Sequence, residues 1–202
     1  TRFEISPEIP VIGYVGSFIP YEGLDDLVRA CTLLHQRGYD FRLLLIGSEP
    51  AYLKGRVTSE LQNIAKDGGI ASKVLLPGRI DVSEVEQWYS LIDIVPIPRK
   101  DLPVTELVSP LKPLEAMAME KAIVVTDLPA LKEIITHQKT GLVVARSDVA
   151  ALASALADLI DNPDQRRSLG KHARERILSD RNWNAVAKKL RDVMASQLQR
   201  KE

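Results

Sequence analysis

The run Ser109-Pro110-Leu111-Lys112-Pro113-Leu114-Glu115-Ala116-Met117-Ala118 gathers side chains suited to a charged, hydroxylated ligand. Serine followed by proline predicts a helix start at 109–110, with Lys112 in the first turn and Glu115 three residues on along the same side. Apolar stretches at 92–98 and 123–127 read as strands on either side of it. A helix that opens beyond the carboxyl end of a parallel strand offers a seat for an anion. A lysine ammonium brings mobile positive charge to phosphate, and a carboxylate has the acceptor oxygens to take both hydroxyls of a ribose. These residue types at this spacing point to a nucleoside diphosphate. Pro110 and Pro113 lack an amide hydrogen, which leaves Leu111 and Lys112 as the main backbone donors of the turn. The Lys112 side chain then supplies the charge that two neutral amides lack. Arg99 and Lys100, just past a strand end, are expected to add to it.

Alternating elements are needed to hold that turn in place. Residues 11–17 read as a buried strand running into a glycine loop, and Leu24, Leu27, Val28, Cys31 and Leu34 recur at helical spacing before Gly38. Further strands are expected at 41–47, 74–76 and 142–144, and a polar helix at about 51–65 stopping at Gly68-Gly69. Ser83 and Glu86 fit a capping box for a helix carrying Val85, Trp88, Tyr89 and Ile92, and Asp148 caps another. Strands separated by helices predict an α/β fold: a three-layer, Rossmann-like parallel sheet with helices on both faces, followed by C-terminal helices. The expected division is a Rossmann-like domain over 1–162 and a helical extension over 163–202 packed on it. Ligand loops then fall at 16–23, 47–50, 77–81, 99–112 and 127–131.

Composition removes several classes. The 202 residues carry 27 basic and 27 acidic side chains, so no overall field favours nucleic acid. One cysteine excludes an internal disulfide and a cysteine metal cluster, and the three histidines, His35, His137 and His172, lie on different elements without ligand-like spacing, so no metal site is expected. No apolar run approaches the length of a membrane-crossing helix, and a cytoplasmic location is expected. The basic stretch Arg166 to Arg176 reads as a solvated helix face, with peripheral contact to anionic lipid on the inner face of a membrane as the alternative.

Taken in order, the motifs resemble those of family-four retaining glycosyltransferases (group 1), in the C-terminal, nucleotide-sugar-binding half of their two-domain GT-B architecture. The likeness runs through Gly13-Tyr-Val-Gly16-Ser-Phe-Ile-Pro-Tyr-Glu-Gly23, Leu43-Leu-Leu-Ile-Gly47, Leu76-Pro-Gly78-Arg79-Ile80, Glu115-Ala-Met-Ala118 with Lys121 and the strand to Asp127, and Thr140-Gly141-Leu142-Val143-Val144. The resemblance implies a donor site for a nucleoside-diphosphate sugar, most often a UDP-sugar, with no bound metal or other cofactor. Glu115 matches the glutamate that binds ribose hydroxyls, Arg79 and Ile80 match the turn whose backbone meets the base, and Ser109, Leu111 and Lys112 match the loop around the diphosphate and sugar. Gly16, with Ser17 beside it, matches the glycine that admits the diphosphate to the first loop. The resemblance also implies retention of anomeric configuration, an acceptor that is a sugar, lipid-linked molecule or protein, and an N-terminal acceptor domain absent from this chain. The 202 residues alone are therefore expected to bind nucleotide and transfer nothing.

Three positions depart from the family pattern. Ser17 and Glu22 stand where arginine and lysine are usual, Leu107 stands where the first of two glutamates belongs, and Glu120 replaces the glycine after the signature helix. Glu106, one residue from the expected position, is the candidate for the missing catalytic-side glutamate. Rival readings are a non-catalytic nucleotide-binding module and a sugar-nucleotide epimerase of the same architecture. Trp88 and Tyr89 read as packing on a buried helix stripe, and Cys31 as core.

Overall fold

Along each strand alternate residues go to opposite faces, and here both faces are apolar, which requires a layer of helices on each side. A computed structural model describes residues 6 and 8–199, with side chains to 196. Six strands, β1 Val11–Val15, β2 Arg42–Ile46, β3 Val74–Gly78, β4 Ile94–Ile97, β5 Ala122–Thr126 and β6 Leu142–Val144, form one sheet in the order β3-β2-β1-β4-β5-β6, every pair parallel. The order reverses between β1 and β4, and in such sheets the crevice beyond the carboxyl ends at that reversal is where ligands sit.

On one face, Ile12, Tyr14, Leu43, Leu45, Ile94 and Val124 pack against α1 Leu24–Gln36, α2 Arg56–Asp67 and α7 Val149–Asp161. On the other, Leu44, Ile46, Val95, Ile97, Ile123 and Val125 pack with α3 Val85–Ser90, α5 Lys112–Ala118 and α6 Pro129–Lys132. The three-layer architecture expected from the alternation is therefore the one formed. Asp148 accepts the Ala151 amide at 2.8 Å and Asn162 the Gln165 amide at 3.0 Å, capping α7 and α8 Pro163–Asp180. A short helix, α4 Pro103–Leu107, breaks the stretch read as a loop.

Two helix starts differ from expectation. The helix of the signature run begins at Lys112, not at Ser109. A start at Pro110 would put Pro113 where the first intrahelical amide must donate, and proline has none. The first such bond instead runs from the Glu115 amide to the Leu111 carbonyl at 3.0 Å, and Pro113 falls in the first turn, where no donor is required. Ser109 is exposed and caps nothing there. Asp81 displaces Ser83 as the cap upstream of α3: Glu84 Oε2 reaches back to the Asp81 amide at 3.4 Å, and a 3-10 turn over Val82–Glu84 leads into the helix.

Helix α8 closes over the second core. Ala173 is buried in it, Leu169 is buried in the first, and Gly170 lies so near the Glu120 carbonyl that an added Cβ would come within 2.1 Å of it. The Arg174 guanidinium donates to the Ala118 carbonyl at the end of α5. The last helix, α9 Trp183–Gln199, touches α8 and leaves Trp183, Leu190, Val193 and Met194 exposed.

Candidate functional site

Three loops at the carboxyl edge are tied together by backbone hydrogen bonds. The Gly16 amide donates to Ile46 at 2.9 Å, Phe18 to Ser48 at 3.0 Å and Gly47 to Gly78 at 2.9 Å. This stitching requires glycine at 47, where a Cβ would come within 1.8 Å of the Gly16 carbonyl. The loops border two adjoining hollows. The larger, about 590 Å³, is lined by Gly16, Ser17, Tyr89, Lys112 and Glu115, with Val82, Val85 and Met119 among its apolar walls. The smaller, about 290 Å³, is lined by Gly47, Ser48, Arg79 and Ile80 and shares Val15, Gly16, Ser17 and Val85 with the first. The structure thus brings together six of the residues singled out in the sequence: Gly16, Ser17, Arg79, Ile80, Lys112 and Glu115.

Ser109, Leu111 and Glu106 line neither hollow. Ser109 and the Leu111 side chain are exposed, the consequence of the later helix start. Glu106 lies on α4 with its carboxylate 3.3 Å from Arg146 Nη1; the same arginine also pairs with Asp101 and Asp127 at 3.0 Å each.

Positive charge in the cleft is arranged differently from the expected pattern. Arg99 does not face the ligand space: it is buried and bonds Glu22 through two nitrogens, at 3.0 and 3.3 Å, and the Val108 carbonyl at 3.1 Å. Lys100 is paired with Asp25 at 2.6 Å. Lys112 is the cation of this group that reaches the larger hollow, and its Nζ also bonds Glu22, at 3.0 Å. Burial works to raise the Glu22 carboxyl, but hydrogen bonds from Arg99 and the charges of Lys112 and Arg99 overcome it and hold the group below the usual carboxylate range. One acid between two bases leaves a net positive charge at this corner. Glu22, which stands where a basic residue is usual, holds the Lys112 ammonium at the edge of the larger hollow.

Gly16 acquires a specific reason from the same geometry. Its φ is +152°, and an added Cβ would lie 2.2 Å from the Lys112 Cε. The glycine makes room for the lysine stem as it crosses the first loop, and Lys112 Nζ sits 5.7 Å from the Tyr14 ring centroid. Tyr14 in turn donates from its hydroxyl to the Ser17 carbonyl at 3.1 Å.

Tyr89 is the site residue that sequence reasoning missed as such. Its helical spacing correctly placed the ring in the core, where it is 1% exposed, but the residue also borders the larger hollow. The available signal was a hydroxyl on an otherwise apolar stripe. Among the described residues no cluster of three metal-binding side chains occurs.

A parallel sheet in the order 3-2-1-4-5-6 with a cleft at its reversal defines a Rossmann-like domain. The chain belongs to the family of glycosyl transferases group 1, whose model matches residues 9–162. It is 28% identical over 193 residues to a GDP-mannose-dependent alpha-(1-6)-phosphatidylinositol monomannoside mannosyltransferase of Mycobacterium tuberculosis, covering 93% of this chain and 48% of that protein. It is 24% identical over 164 residues to an alpha-D-kanosaminyltransferase of Streptomyces kanamyceticus, covering 81% and 40%. Among solved structures, a sucrose-phosphate synthase from Thermosynechococcus elongatus superposes with a TM-score of 0.79 at 25% identity over 98% of this chain and 48% of that one. The C-terminal domain of a group 1 glycosyl transferase, LpcC, from Francisella tularensis gives 0.75 at 23% identity, over 87% of this chain and 89% of that domain. The chain spans about half the length of the curated relatives it matches.

Proposed function

We propose that this chain is the donor-binding half of a glycosyltransferase that moves a sugar, with retention, from a nucleoside diphosphate to an acceptor held by a second domain. The observation that carries the reading is the convergence of Lys112 and Glu115 on one hollow, beside Gly16, at the sheet reversal of a chain that belongs to a glycosyltransferase family. Lys112 holds the diphosphate, Glu115 accepts from the ribose hydroxyls, and the smaller hollow beside Arg79 and Ile80 receives the base. As the bond between sugar and phosphate breaks, negative charge grows on the leaving diphosphate, and an ammonium already oriented by Glu22 stabilises it without rearrangement. Glu106 has no part in this reading, because Arg146 holds it outside the cleft.

The mycobacterial relative's name specifies GDP-mannose as donor and a phosphatidylinositol glycolipid as acceptor. That name supports a nucleoside-diphosphate hexose here, makes guanosine a candidate base alongside the uridine expected from the motifs, and supports work on a lipid acceptor at a membrane surface. No helix among the described residues is long and apolar enough to cross a membrane.

Calorimetric titration of the 202-residue chain with uridine, guanosine and adenosine diphosphates tests the reading. One of them is expected to bind, and Lys112→Ala is expected to weaken it about 10- to 100-fold, the scale of a lost hydrogen bond to a charged group. Absence of binding by all three, or unchanged affinity in the variant, would sink it.

A further inference from the structure

Tyr89 presents a cost that packing does not explain. Its hydroxyl oxygen is buried and has no hydrogen-bond partner. The only other such side-chain atom among the described residues is Glu49 Oε1, whose companion oxygen accepts the Thr58 amide at 3.0 Å. A phenylalanine would fill the same space among Trp88, Ile92 and Met117 without burying an unpaired donor, so the hydroxyl lowers the stability of the unliganded fold. Yet Tyr89 stands on the wall of the hollow that Lys112 and Glu115 also line. Burial, with a smaller contribution from the Glu115 charge, pushes its pKa up, so the hydroxyl stays protonated and available as a donor.

We infer that the Tyr89 hydroxyl is a further ligand-binding group of this cleft, donating a hydrogen bond to a pentose hydroxyl oxygen whose proton Glu115 accepts. The inference rests on the nucleoside-diphosphate reading above and extends it to the recognition of the sugar ring. A carboxylate accepts only, whereas each ribose hydroxyl both donates and accepts. Glu115 alone therefore takes the hydroxyl protons and gives the hydroxyl oxygens no donor. A neutral phenol beside the carboxylate completes the set, and the two bonds through one hydroxyl polarise each other. The ligand in turn satisfies a buried donor for which the protein's own groups provide no partner.

Tyr89→Phe separates binding from packing, because the two predict opposite signs. Melting temperature without ligand and calorimetric affinity are measured for wild type and variant. The ligands are uridine and guanosine diphosphates and their 2′-deoxy and 3′-deoxy forms. The expected result is an unliganded melting temperature equal to or above that of the wild type, together with about 5- to 30-fold weaker binding of the ribonucleotide. In the wild type, loss of one of the two ribose hydroxyls should cost several-fold; in the variant that penalty should shrink to the part that Glu115 contributes. A variant that binds the ribonucleotide as well as wild type does, or that keeps the full deoxy penalty, overturns the inference and leaves the proposed function standing. A variant that melts lower without ligand overturns it too, since the hydroxyl then has a structural task. If the wild type binds neither nucleotide, the proposed function falls, and this inference falls with it.

Discussion

Arg99 binds one carboxylate and Arg146 three at the carboxyl edge of the sheet, and the two clusters behave as different kinds of structure. Arg99 and Glu22 are almost wholly enclosed, with side chains 5% and 1% exposed, and they share their bonds with Lys112 and the Val108 carbonyl. Arg146 touches three carboxylates, on Asp101, Glu106 and Asp127, all of them substantially open to water. Counting ion pairs would rank the second cluster higher. Desolvation reverses that order: an enclosed pair cannot lose one member without stranding the other, whereas water and salt replace most of what a surface pair provides.

The comparison breaks first at Arg99→Ala. Stranding Glu22 with Lys112 as its one remaining cation is expected to cost about 3–5 kcal/mol in urea unfolding, the scale for opening a buried pair. A loss under about 1 kcal/mol would mean the enclosure is leakier than it looks.

Acid sharpens the contrast. The native Glu22 carboxyl titrates below its ordinary 4.5, so its pairing contributes in full above that pH and is lost as pH falls through the lower, native value. Unfolding free energy should therefore decline below about pH 4.5, and the slope should flatten in Glu22→Gln, whose group does not titrate. Equal slopes in both proteins would remove Glu22 from the account.

Arg146→Ala is expected to cost about 1 kcal/mol or less, and less still in high salt. It should leave nucleotide affinity unchanged, since none of its partners lines the cleft. The smallest effect is expected at Glu120, which holds a left-handed φ of +58° just after α5. Glu120→Gly removes that strain and should raise stability by roughly 0.5–1 kcal/mol; a loss would show that its side chain contributes more than the backbone costs.

The sheet and its order of strand and helix were legible because parallel strands buried on both faces leave long apolar runs, as at Leu43-Leu44-Leu45. The cleft residues were legible where a motif fixes a loop, at Gly16, Arg79 and Glu115. Helix starts were harder to read. Asp81-Val-Ser-Glu84 and Ser83-Glu-Val-Glu86 are overlapping capping boxes, and nothing local says which wins. Glu22 was legible only as a substitution, because its meaning comes from Arg99 and Lys112, far along the chain. The exposed placement of Glu106 depends on Arg146, forty residues away, and no spacing rule reaches that far.

The family match stops at residue 162, but the fold does not. Gly170 seats against the Glu120 carbonyl, Arg174 clasps the Ala118 carbonyl, and Ala173 shares a core with Ala116 and Met117. The helix that carries Glu115 is thus gripped from behind by a segment beyond the match. Cutting the chain at Asn162 would take away the backstop of the helix that lines the cleft; a piece that keeps that grip retains α8.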